Sequence, residues 1–144
     1  MSRVINTNNP NKIRNHCRRT IAELLRRLSK KSGVDEEAKD MAATIVYMLR
    51  EINASVEQTV TAWEKRDYWM KAERFLREWE WARETEANLD DVIRNEAWDL
   101  LPRLLAGLFP RFTDVQVKRM TRPPSAWKGA YKQLLSDSPA SSPW

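Results

Sequence analysis

Apolar residues recur at intervals of three and four through residues 35–83, and neither Gly nor Pro interrupts that stretch. Met41, Ile45, Met48, Leu49, Ile52, Val56, Val60 and Trp63 share one side of an α-helix, a ribbon that needs a covering partner. Asp35, followed by Glu36 and Glu37, supplies a short acceptor and negative charge for the free N–H groups of a helix start. Further on, the same phase carries Asp67, Met70, Arg74 and Arg77, while Tyr68, Ala72, Phe75, Leu76 and Trp79 fall opposite. Ser55 and Gln58 read as a capping box and mark one place for a break, at Asn53-Ala54-Ser55. The stripe nevertheless holds phase through Ile52, Val56 and Val60. The expectation is therefore one continuous or gently bent helix over about 35–83, roughly 70 Å long.

The flanking patterns are also helical. Asn9-Pro10 suits a helix start, and Ile13, Cys17, Ile21, Leu24 and Leu28 form a stripe that ends at Ser32-Gly33. A third unit covers residues 85–108, interrupted near Trp98 so that Pro102 lies in a first turn, with Gly107 and Pro110 closing it. Val115 and Val117 alternate with Gln116 and Lys118, too isolated for a sheet, and a loop or short extended piece is expected. Ser125 is placed to cap a final helix bearing Trp127, Tyr131, Leu134 and Leu135. The Ser- and Pro-rich residues 136–144 read as a disordered tail. The expected fold is all-α: one helical domain over residues 1–135, built on a long central helix.

Composition agrees with this and adds a charge pattern. Three glycines in 144 residues disfavour a β architecture. The net charge of +5 is unevenly spread. Residues 1–34 carry nine Lys/Arg against Glu23 alone, residues 35–101 nine against seventeen acids, and residues 102–144 seven against two. The basic ends either balance the acidic middle within one molecule or leave a surface for an anionic partner. One cysteine, no apolar run near the roughly 20 residues that span a bilayer, and a polar start lead to the expectation of a cytoplasmic protein with no membrane partner.

Candidate binding residues follow from the charge. On a helical projection Lys12, Arg19, Arg26 and Lys30 fall together away from the apolar stripe, with Arg18 beside them and Glu23 at the margin. Lys118, Arg119 and Arg122 form a second basic cluster. Together these eight are the candidate contacts to nucleic acid or another polyanion, through phosphate neutralisation. Five of seven tryptophans lie between Trp63 and Trp98, where large rings fill the space between helices. Trp79 and Trp81, two apart, do not share a helix face, so Trp69 and Trp81 mark a candidate protein interface or self-association surface.

Motifs for catalysis are sparse. His16 and Cys17 have no second His or Cys to build a metal site, and Gly33, Gly107 and Gly129 are too scattered for a phosphate loop. No catalytic residue, metal or cofactor is assigned. One acidic set, Glu36, Glu37 and Asp40 with Glu64-x-x-Asp67, resembles the two Glu/Asp pairs of all-α nucleotide pyrophosphohydrolases of the MazG type, with Asp40 where a Glu is usual. The resemblance covers four or five residues. It implies Mg²⁺ held against a nucleotide phosphate between antiparallel helices, and hence a break near Asn53. Without that break Asp40 and Glu64 stand about 36 Å apart on one helix. The leading expectation is a helical binding or assembly protein, with a protein–protein scaffold or oligomeric helical subunit second.

Overall fold

The computed structural model describes residues 9–137; residues 1–8 and 138–144 lie outside them, and of the tail expected from residue 136 only Ser136, the end of the last helix, and Asp137 are described. Described residues form helices and loops with no strand. The all-α expectation holds.

Helix α1 (Pro10–Ser29) starts where Asn9 accepts hydrogen bonds from the backbone N–H groups of Asn11 and Lys12, with Pro10 in the first helical position. Helix α2 (Glu36–Glu64) starts at Asp35, whose carboxylate accepts from Ala38 N–H at 2.7 Å. It returns antiparallel to α1, bringing Glu37 against Arg27 at one end and Ser55 against Arg14 at the other. Helices α3 (Trp69–Glu78), α4 (Glu80–Arg94) and α6 (Ala130–Ser136) pack against other sides of α2. α5 (Leu101–Leu108) leans on α4, and short 3₁₀ turns cover Trp98–Leu100, Phe109–Phe112 and Pro124–Ala126. Met41, Ile45, Leu49 and Ile52 are wholly buried, and Ile21, Leu24, Leu89 and Leu134 from α1, α4 and α6 join the same core.

The central helix is shorter than expected, and the break is not at Asn53. Ser55 lies inside α2, where its hydroxyl donates to the Ile52 carbonyl. The helix stops at Glu64 in a Schellman arrangement. Tyr68 N–H reaches Trp63 O at 2.9 Å, Asp67 N–H reaches Glu64 O at 3.0 Å, and Asp67 takes the left-handed conformation with φ 64°. Glycine usually fills that position, so an Asp there hides the stop from a search for glycine. α4 ends the same way, with Glu96 at φ 52° and Ala97 N–H bonded to Val92 O. The change of hydrophobic phase after Trp63 is thus a change of helix.

A second interruption falls at Trp79, whose backbone (φ −107°, ψ 7°) separates α3 from α4. That kink removes the premise that Trp79 and Trp81 sit on different faces of one helix. Their rings stack at 5.7 Å. Phe75 and Trp63 extend the line on one side, and Phe112 meets Trp81 edge-on at 5.8 Å. At the other end of α2, Asp40 caps α6 from a distance in sequence, accepting from Gly129 N–H at 3.1 Å and Tyr131 N–H at 3.0 Å. Ser125, the expected cap, sits in a 3₁₀ turn instead. No described helix is long and apolar enough to cross a membrane.

Candidate polyanion interface

The eight nominated basic residues divide into two groups. Arg18, Arg19, Arg26 and Arg122 spend their donors inside the molecule, fastening the irregular segment 111–122 along α1. Arg18 grips Asp114 with both terminal nitrogens, at 2.7 and 2.9 Å, donates to Arg111 O, and lies 5.3 Å from the Phe112 ring. Arg19 donates to Glu23 and to Gln116 O at 2.6 Å; Arg26 donates to Val117 O at 2.7 Å. Arg122 donates to the Thr20 hydroxyl and lies 3.2 Å from His16 Nδ1. Backbone groups of an irregular segment need partners, and here arginines supply them in place of a second strand.

Glu23 is the hub of this fastening. Its buried carboxylate accepts from Arg19 Nε, from the Thr121 N–H and hydroxyl, and from Arg122 N–H. Burial pushes the carboxyl up, but the bonds from Thr121, Arg19 and Arg122 outweigh it and bring the group down to about 2. The hint in the sequence was slight: Glu23 is the single acid among the first 34 residues.

The second group is Lys12, Lys30, Lys118 and Arg119, all exposed and with no side-chain hydrogen bond or ion pair among the described residues. Lys12 stands alone, about 27 Å from Lys30 along α1. The other three meet. A cleft of about 260 Å³ opens between the last turns of α1 and residues 117–120, lined by Arg26, Arg27, Lys30, Lys118 and Arg119, with Glu23 beneath. Arg27, absent from the sequence-based set, belongs to it; among the described residues its one ion pair is with Glu37 at 3.3 Å. What unites Lys30 with Lys118 and Arg119 is the fastening of segment 111–122, a long-range contact without a helical period to announce it.

The nominated tryptophans also separate. Trp69 projects from the first turn of α3 and is exposed, beside exposed Tyr68 and Met70. Trp81 is half-buried between Trp79 and Phe112, with the Arg111 guanidinium 5.4 Å from its ring, and is part of the packing. The acids behind the pyrophosphohydrolase resemblance do not converge. Asp40 and Glu64 lie near opposite ends of unbroken α2, and both Asp40 oxygens serve α6. Among the described residues no group of three or more His, Cys, Asp and Glu is placed to hold a metal ion. Comparison of the chain with protein-family models, curated proteins and solved structures finds no match in any of the three.

Proposed function

We propose that this chain is a helical binding protein that holds a polyanion, nucleic acid among the candidates, in the cleft between the end of α1 and residues 117–120. The observation supporting this reading is a single opening ringed by five cationic side chains, of which Lys30, Lys118 and Arg119 have no carboxylate partner among the described residues. Like charges gathered in excess of the nearby Glu23 and Glu37 cost energy in the free protein, and an incoming polyanion relieves that cost while releasing its own counterions. Arginines 18, 19 and 122 build the cleft by seating its far wall.

Fluorescence anisotropy with labelled single- and double-stranded nucleic acid across a salt series tests this. Three to five phosphate contacts predict a log–log salt slope of about −3 to −5 on duplex. Lys118→Glu/Arg119→Glu abolishes binding and Lys12→Glu leaves it within about twofold. Absence of binding at low salt to nucleic acid and to heparin overturns the proposal.

A further inference from the structure

Independently of the cleft, we infer that α3 is a self-association surface, on which two copies of this chain pair antiparallel about a two-fold axis. The first observation is a concentration of exposed apolar bulk. Tyr68 is 49% exposed, Trp69 58%, Met70 77% and Leu76 44%, all within α3 and its first approach. Within α3 only Ala72 is fully buried, while Phe75 is half-buried against Trp63. Single exposed apolar residues are ordinary, but a contiguous group framed by charges marks a contact surface.

The second observation selects the occupant. Lys65 and Arg66 precede α3, Glu78 ends it and Glu80 opens α4; all four are exposed, and none is ion-paired among the described residues. With their neighbours counted, Glu64, Lys65, Arg66, Asp67 and Lys71 give the first half of the patch +1, and Glu73, Arg74, Arg77, Glu78 and Glu80 give the second half −1, so the two ends keep a small opposite excess. A second copy laid antiparallel sets Lys65 and Arg66 of each chain against Glu78 and Glu80 of the other, and opposes the two helix dipoles. Laid parallel, like charge meets like. A surface complementary to itself under a half-turn is the requirement for an isologous dimer. The same alignment brings Trp69 and Met70 of one chain toward Leu76 of its mate, because they lie on opposite sides of the middle of α3. A ten-residue helix offers a small interface, so association is weak and concentration-dependent.

Sedimentation velocity on the full chain, without nucleic acid and over a wide concentration range, provides the test. Wild type shifts from monomer to dimer as concentration rises. Trp69→Ala weakens the dimer about tenfold or more, as does Lys65→Glu/Arg66→Glu or Glu78→Lys/Glu80→Lys alone. An equimolar mixture of the two charge-reversed proteins regains the dimer, since each reversed end then meets its complement. That recovery also shows that both variants are folded. A wild type that stays monomeric to its highest soluble concentration overturns the inference, as does a dimer untouched by the reversals. A mixture that stays monomeric overturns the antiparallel pairing.

Discussion

Glu23 and Thr121, 98 positions apart in sequence, are joined twice: the carboxylate accepts both the backbone N–H and the hydroxyl of Thr121. This pair closes segment 111–122 on α1, so half of the basic residues that look like a binding face instead hold the molecule together. Glu23→Gln keeps the shape but turns one acceptor into a donor facing donors, and should cost about 2 kcal/mol; Glu23→Ala leaves Arg19 Nε, the Thr121 hydroxyl and two backbone N–H groups without this acceptor, for about 3 kcal/mol. Urea denaturation reads both. A loss below a few tenths in Glu23→Ala would show that the segment is not fastened there.

The same carboxylate sets an acid limit. Its folded value of about 2 lies below the ordinary 4.5, so its contribution is complete above about pH 4.5 and fades as pH falls toward 2. Asp114, drawn down by its hydrogen bonds to Arg18, acts in the same direction. Melting wild type and Glu23→Gln from pH 6 to pH 2 separates the two contributions. The variant's curve should be flatter over this range; parallel curves would refute the assignment.

Arg14 predicts an inverted order of substitutions. It is buried without a carboxylate, donating through Nη1 to Ser55 O and Thr59 Oγ1 while Phe75 and Trp79 cover it at 4.9 and 5.8 Å. Burial pulls its pKa down from the usual guanidinium value, the sign of a charge kept in poor solvent. Arg14→Lys retains the charge but loses the flat fork and ring contacts, at about 2 kcal/mol. Arg14→Met keeps apolar bulk without the charge and should be the milder change, under about 1 kcal/mol. Chemical denaturation of the two variants reads the order directly.

Cys17 should be inert in the folded protein. Burial, then the neighbouring Glu51 carboxylate, push its thiol up to about 12, with Arg122 opposing. At pH 8 a disulfide reagent should modify it only on unfolding, at least about a hundredfold slower than a free thiol. Rapid native labelling would place the thiol at the surface.

Helix stops without glycine give a fifth expectation. Asp67 sits at φ 64°, a conformation that disfavours β-branched residues most and glycine least. Asp67→Gly should be neutral or raise stability by up to about 0.5 kcal/mol, and Asp67→Val should cost about 1–2 kcal/mol. Equal melting temperatures for the two would argue against the left-handed stop.

These positions also explain how much could be read from the chain alone. Helix starts at Asn9-Pro10 and Asp35 were legible because caps are local chemistry. The stripe from Met41 to Val60 was legible because burial imposes a period. The stop at Asp67 was not, since the left-handed turn is filled by an ordinary residue, and missing it made α2 and α3 look like one rod. Basic clusters were found on both segments, but their use was not. Whether an arginine faces a phosphate or a backbone carbonyl depends on segment 111–122 lying over α1, and no periodicity encodes that. Trp69 and Trp81 read alike in sequence, and only the kink at Trp79 turns one inward.

The fastening of α1 also imposes a birth order. Arg26 meets Val117 across 91 positions, and Arg122 meets His16 across 106. On a ribosome α1 and α2 emerge early and pair locally, while the acceptors for Arg18, Arg19 and Arg26 are still untranslated. Through most of synthesis α1 therefore shows water a row of arginines and a carboxylate that the finished molecule keeps to itself. The nascent chain is more cationic at its surface than the mature one, and the polar contacts that finish α1 are among the last to form.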